Sequence, residues 1–329
     1  MKSKSDRWRL VLWSGALLAS ALAACGGGSL VQAFAPNRVI AFGDESSVID
    51  DFKGDANGRK YTVNATVSAT DQTLACKLDP IWIQVLANAY ALVFPQCNPA
   101  PNAVIAPSSR IRAAAGAMVA DIAAQVDAQV AETVFTPKDL VTMLAGQNDI
   151  LAQYAQYPGV GEAQLTANLQ AAGAALAGQV NRLANTGAKV LISTVPDLGL
   201  TPFAFAERAA NTDTDRSALL TRLTKSFNDK LRANIINDGR MIGLILTDEY
   251  FQGVTLVVNG GGFTNAISAA CDLTRSALVP PSALDCTPQT LIAGGSATAF
   301  LWADTLHLSP GGHQALGSLA LTRTQNNPF

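Results

Sequence analysis

The sequence predicts a single α/β domain built on a parallel sheet, and three observations carry that reading. Short apolar runs at Arg38–Phe42, Asp139–Ala145, Lys189–Val195 and Met241–Leu246 alternate with longer stretches of helical periodicity. The runs are apolar throughout rather than alternately, as strands buried on both faces are. Two of them end in polar, glycine-bearing turns, Gly43–Ser47 and Gly146–Asp149, and parallel sheets place their sites at the carboxyl ends of strands. There is no internal repeat and no sign of a second domain.

The N-terminus reads as processing. Lys2, Lys4, Arg7 and Arg9 form a positive segment, and Leu10–Ala24 is an apolar run of signal-peptide length. It is too short to serve comfortably as a permanent membrane span. Leu22-Ala23-Ala24-Cys25 resembles a bacterial lipobox, which implies cleavage before Cys25 and lipid attachment to its sulfur. Gly26 rather than Asp after Cys25 implies, by the same resemblance, the outer membrane. The expected organisation is a signal peptide at 1–24, a lipidated Cys25 with a flexible tether at 25–36, and a domain at 37–325.

Within the domain, Arg38–Phe42 is the first strand. Ile81–Phe94 has helical periodicity around Trp82, and Ser109–Val134 reads as an Ala-rich amphipathic helix capped by Ser108 or Ser109. Asp139–Ala145 is the second strand. Glu162–Asn185 is a helix stopped at Gly187. Lys189–Val195 is a third strand halted by Pro196, Arg216–Ile236 a helix, Met241–Leu246 a fourth strand ending at Asp248, and His313–Thr322 a closing helix. Strands alternating with helices of this length mean right-handed βαβ crossovers.

Lys and Arg number 23 against 25 Asp and Glu, a net charge of −2. With no basic block, nucleic acid is not an expected partner. Beyond Cys25 lie Cys76, Cys97, Cys271 and Cys286. An even count in an exported chain points to disulfides, and proximity favours Cys76–Cys97 and Cys271–Cys286. No C-x-x-C spacing or neighbouring histidine supports zinc instead, so no metal is expected.

The two histidines of the chain both fall in Asp304–His313. Histidine is the side chain that shuttles protons near neutral pH, and Asp304, three residues before His307, is placed to orient it. Alone, the segment reads either this way or as a loop with two solvated histidines. His313, at the start of the closing helix, reads as structural.

Phe42-Gly43-Asp44, Gly58-Arg59-Lys60-Tyr61-Thr62-Val63-Asn64, Gly146-Gln147-Asn148-Asp149 and Asp304-Thr305-Leu306-His307 together resemble, in order, the four blocks of the GDSL or SGNH hydrolases, in particular the exported bacterial esterases and lipases. The resemblance runs from about residue 37 to 322. It implies a flavodoxin-like three-layer α/β/α sandwich and hydrolysis of carboxylic esters of small molecules or lipids by a Ser–His–Asp mechanism, with no cofactor expected; contact with a membrane through the N-terminal lipid is what the lipobox resemblance implies. Under it His307 is the base and Asp304 its orienter. Asn148 and Gly146 belong to the oxyanion block, and the Asn64–Ala65 turn offers a backbone donor. Each role has a chemical reason: ester cleavage needs an activated nucleophile, a base held in one tautomer and donors where negative charge develops. Asp149 is expected to fix its own turn.

Two positions depart. In the second block Ala65 follows Asn64 where the family usually has Gly soon after, a change that keeps a backbone N–H; the other departure is at the nucleophile. The family serine follows Gly-Asp directly, but Glu45 stands there, with Ser46 and Ser47 next. On a helical turn one residue of offset rotates a side chain by about 100°. Three readings stay open: a shifted turn with Ser46 as nucleophile; Glu45 in the nucleophile position of a silent, ligand-binding relative; or Glu45 in acid/base chemistry with another carboxylate. Segments 62–80 and 253–298 are expected to line the ligand pocket.

Overall fold

The computed structural model describes residues 33–257 and 259–329. The signal-peptide, Cys25 and most of the tether expectations lie outside them. Phe34–Phe329 form one compact unit. Its frame is a five-stranded sheet in the order β4-β1-β5-β6-β7, made of β1 (Arg38–Gly43), β4 (Arg110–Ile111), β5 (Asp139–Leu144), β6 (Lys189–Ser193) and β7 (Ile242–Ile245). Every pairing in it is parallel. The sheet is buried on both sides, and that is why its strands carry unbroken apolar runs.

Successive residues go to opposite faces. Ile40, Phe42, Val141, Met143, Val190 and Ile192 enter one core, with α2 (Ile122–Glu132), α4 (Glu162–Ala184) and α6 (Arg216–Asn234). Val39, Ala41, Leu140, Leu144 and Leu191 enter the other, under α1 (Trp82–Asn88), α7 (Thr247–Leu256) and α8 (Pro310–Asn326). The result is the three-layer α/β/α arrangement. Helices α4 and α6 approach closely at Gly173, where an added Cβ would sit 2.4 Å from the Phe227 carbonyl oxygen.

Several boundaries differ from the sequence reading. Ser109–Val134 is not one helix. Arg110–Ile111 pairs with β1 as an edge strand, and the chain goes on beside β1 through Arg112 and Ala113 N–H to the Ala41 carbonyl and Ala114 N–H to the Gly43 carbonyl. Only at Ile122 does α2 begin. Alanine's helix propensity made the stretch look continuous, whereas tertiary bonding and the left-handed Gly116 (φ 73°) decide it. Helix α1 stops at Asn88 instead of Phe94, with Ala91 left-handed beyond it. Helix α8 starts at Pro310, capped by Ser309 Oγ accepting from Gly312 N–H, so His313 lies inside it. Short helices α3 (Gln147–Tyr154) and α5 (Pro202–Ala210), and the pair β8 (Asn265–Ala269) with β9 (Phe300–Trp302), complete the frame with the hairpin β2 (Ile49–Asp50) and β3 (Arg59–Lys60). Disulfides join Cys76 to Cys97 and Cys271 to Cys286.

Candidate active site

The site forms at the carboxyl ends of β1, β5 and β9. At the first, Gly43 adopts φ 129°, and a Cβ there would lie 1.8 Å from the Leu144 carbonyl oxygen, so only glycine fits. The chain then makes a single 3-10 turn, Glu45–Ser47, capped by Asp44 Oδ1 accepting from Ser46 N–H at 3.1 Å. At the second, Gly146 (φ 119°) lets the chain turn under the Phe227 ring, 2.4 Å from where its Cβ would be. Gln147 and Asn148 thereby open α3 toward β1. Asp149 does more than fix its turn: its Oδ2 accepts from Val119 N–H at 3.0 Å, tying α3 to the segment that carries Gly116.

These elements converge on Glu45. Its Oε2 accepts from Gly116 N–H at 2.9 Å and from Asn148 Nδ2 at 3.0 Å, while Oε1 accepts from Gln147 Nε2 at 3.2 Å. Asn148 Nδ2 also donates to the Ala117 carbonyl at 3.1 Å, which fixes its orientation. The carboxylate is buried, and opposite it stands His307, with Nε2 at 3.8 Å from Oε1, an ion-pair distance rather than a hydrogen bond.

Asp304 holds His307 by two contacts and its loop by a third. Its Oδ1 accepts from Leu306 N–H at 2.9 Å and His307 N–H at 2.7 Å, and its Oδ2 lies 2.7 Å from the ring Nδ1. Tyr61 stacks over the imidazole, ring centres 5.4 Å apart.

The electrostatics follow from this packing. Burial works against charging His307, but the charges of Asp304 and Glu45 outweigh it and raise its pKa to about 10. Burial likewise pushes Glu45 up, yet the imidazolium, Asn148 and the Gly116 N–H together hold it at about 2. Asp304 is held below its ordinary value despite burial, chiefly by the His307 charge. Asp44, fully buried and beside the Glu45 charge, is raised to about 8, and its Oδ2 has no partner among the described residues. At neutral pH the centre is therefore an ion pair of Glu45 and His307, next to a neutral Asp44.

The other residues singled out from sequence sit as follows. Ser46 is half-buried, and no hydrogen bond joins its Oγ to His307; its N–H donates to Oδ1 of Asp44, the cap of the turn. Ser47 is buried, with Oγ accepting from Trp82 Nε1 at 3.1 Å. Asn64 is engaged in its own turn, Nδ2 donating to the Lys60 and Thr62 carbonyls and Oδ1 accepting from Lys60 N–H, while the Ala65 carbonyl accepts from Ala75 N–H. That block holds the loop bearing Tyr61. The backbone donor that reaches Glu45 is Gly116, which the sequence reading missed inside its Ala-rich helix; an isolated glycine in that stretch was the signal. His313 is buried, its Nδ1 accepting from Trp82 N–H at 3.4 Å, and burial drives its pKa down to about 3. Among the described residues, no cluster of His, Cys, Asp and Glu is arranged to hold a metal ion.

A parallel α/β sandwich carrying an Asp-x-x-His pair at one strand end and a Gly-x-Asn-Asp turn at another defines an SGNH-type hydrolase fold. The chain belongs to the GDSL-like Lipase/Acylhydrolase family, which it matches over residues 41–320. Solved structures similar to it include the acetyl xylan esterase AlAXEase, at 13% identity over 87% of this chain and 98% of that one, TM-score 0.40. A putative GDSL-like lipase from Parabacteroides merdae gives 12% identity over 89% and 98%, TM-score 0.45. Axe2, an acetylxylan esterase from Geobacillus stearothermophilus, gives 13% over 90% and 98%, TM-score 0.39. No curated protein matches the sequence.

Proposed function

We propose that this protein is a ligand-binding member of the ester-hydrolase family whose catalytic centre is closed by its own carboxylate. The observation that carries the reading is the position of Glu45: one carboxylate oxygen takes both Gly116 N–H and Asn148 Nδ2, the donors an ester's developing oxyanion would need. Two consequences follow. An acyl group cannot reach those donors while Glu45 holds them. And an imidazolium with a pKa of about 10 has no free lone pair at neutral pH with which to accept a serine proton.

A second reading is favoured by a different observation. The donors Gly116 and Asn148 and the oriented pair His307–Asp304 are all in place, and half-buried Ser46 adjoins Glu45. If Glu45 withdraws, Ser46 Oγ would attack a carboxylic ester, His307 would take its proton, and Asp304 would hold the resulting imidazolium.

Hydrolysis of p-nitrophenyl acetate and butyrate separates the two. The first reading expects wild type to turn over no faster than His307→Ala, with activity gained in Glu45→Ser. Wild-type turnover abolished by both Ser46→Ala and His307→Ala would overturn it and establish the second.

On either reading we place the protein at the cell envelope through a lipid on Cys25, which the Leu22–Cys25 sequence supports. Cells grown with labelled palmitate should incorporate the label into wild type and not into Cys25→Ala. A wild type that stays unlabelled would refute the anchor.

A further inference from the structure

A groove of about 500 Å³ opens beside the β2–β3 hairpin, and neither Glu45 nor His307 lines it. Its size falls within the range of about 300–1,000 Å³ typical of small-molecule sites. It is joined to the centre by the chain itself. Strand β2 begins two residues after the Glu45–Ser47 turn, β3 ends at Lys60, and the next residue is the Tyr61 that stacks on His307. Asp50, on the groove wall, is close enough that its charge helps raise the Tyr61 phenol, after burial and Glu45.

The wall chemistry selects among ligands. A lipid tail needs apolar walls, and Phe52 and Leu74 are the only large apolar residues on this one. A phosphate or other anion would face Asp50, Asp51 and Asp55. Of the two cations there, Arg59 is already paired with Asp285 Oδ1 at 2.8 Å, and the Lys53 ammonium lies over the Phe52 ring, 5.8 Å from its centre. What remains is an aromatic ring flanked by carboxylate, amide and hydroxyl groups. Phe52 is 64% exposed, and the Arg59 guanidinium, 5.6 Å from the ring centre, holds it in place. The Asp50 carboxylate has no hydrogen-bond or ion-pair partner among the described residues.

We propose that this groove is a binding subsite for a neutral oligosaccharide, with a sugar C–H face on Phe52 and sugar hydroxyls donating to Asp50. The inference rests on the groove alone and stands whether or not Ser46 turns over an ester.

The test is calorimetric titration of the full chain in detergent with cellotetraose, chitotetraose and maltotetraose, and with tetragalacturonate and octanoate as the acidic and apolar alternatives. At least one neutral tetrasaccharide should bind saturably. Phe52→Ala and Asp50→Ala should each weaken it about tenfold or more, a loss of about 1.4 kcal/mol. Phe52 is on the surface, so its variant should fold, and an unchanged melting curve verifies this. No binding of the three neutral probes overturns the proposal. So does binding that both substitutions leave intact, or preference for tetragalacturonate or octanoate. Ester turnover is read in a separate assay, so failure here leaves the Glu45 reading untouched.

Discussion

If the Glu45–His307 ion pair sets the state of the centre, removing the Glu45 charge must lower the pKa of His307. Glu45→Gln keeps the side-chain size and removes the charge. At the 3.8 Å separation of Oε1 and Nε2, and an effective dielectric constant of about 20, the attraction is about 4 kcal/mol. At about 1.4 kcal/mol per pH unit that corresponds to about three pH units. His307 should therefore fall from about 10 to about 7, still held up by Asp304. The chain has two histidines, and His313, near 3, stays silent across this range. A pH titration of the imidazole carbon signals by NMR thus follows one titrating group. Linkage gives a second readout. The folded pKa of His307 lies above its ordinary 6.5, so its contribution to stability is complete below pH 6.5 and is lost as pH rises through 10. In Glu45→Gln that loss should end near pH 7. A wild-type His307 titrating near 7, or a variant titrating still near 10, would refute the ion-pair reasoning.

Three other substitutions test the supports of the site. Asp44 is raised to about 8 by burial and by the Glu45 charge, so ionising it costs stability progressively as pH rises from its ordinary 3.8 toward 8; Asp44→Asn should be the more stable protein at pH 8 and gain little at pH 4, as thermal melts at the two pH values will show. Lys60 is buried with its Nζ donating to the Cys76, Leu78 and Asp79 carbonyls; Lys60→Ala should cost about 3 kcal/mol or more by leaving the Leu78 and Asp79 carbonyls unpaired, the Cys76 carbonyl keeping Gln84 Nε2, and urea unfolding within about 1 kcal/mol of wild type would contradict this. The Cys76–Cys97 bridge closes a sequence separation of 21 residues; the double Cys→Ser variant should lose about 3 kcal/mol, and an unchanged denaturation midpoint would show that the loop is fixed without it.

The sheet was legible because β1, β5 and β6 are buried on both faces, so their apolar character is continuous and cannot be confused with an amphipathic pattern. The histidine pair was legible because Asp304 and His307 act through their side chains and lie three residues apart. What escaped was what depends on backbone geometry or on distant partners. Strand β4 spans two residues, and its pairing with Ile40 and Ala41 leaves no mark in the sequence of 109–134. Gly116 acts through an N–H that every residue but proline possesses, so its role exists only once that segment runs beside β1. Asn64 has the side chain of an oxyanion donor, but its carboxamide closes the Lys60–Asn64 turn, a local use that asparagine favours.

The geometry around Glu45 explains how the fold tolerates the departure at that position. Donors preorganised for an oxyanion are unpaired polar groups when nothing negative faces them, and burying such groups costs free energy. A serine at position 45 would leave Gly116 N–H and Asn148 Nδ2 waiting for substrate, whereas Glu45 satisfies both at rest and adds a counter-charge for His307. On the proposed reading, the exchange favours stability over acyl transfer. Gly43 and Gly146 remain necessary in either case, because the backbone approaches at Leu144 and Phe227 do not depend on which side chain the turn presents. On the proposed ligand-binding reading, the architecture of a hydrolase persists around a centre whose charge state does not suit a serine nucleophile.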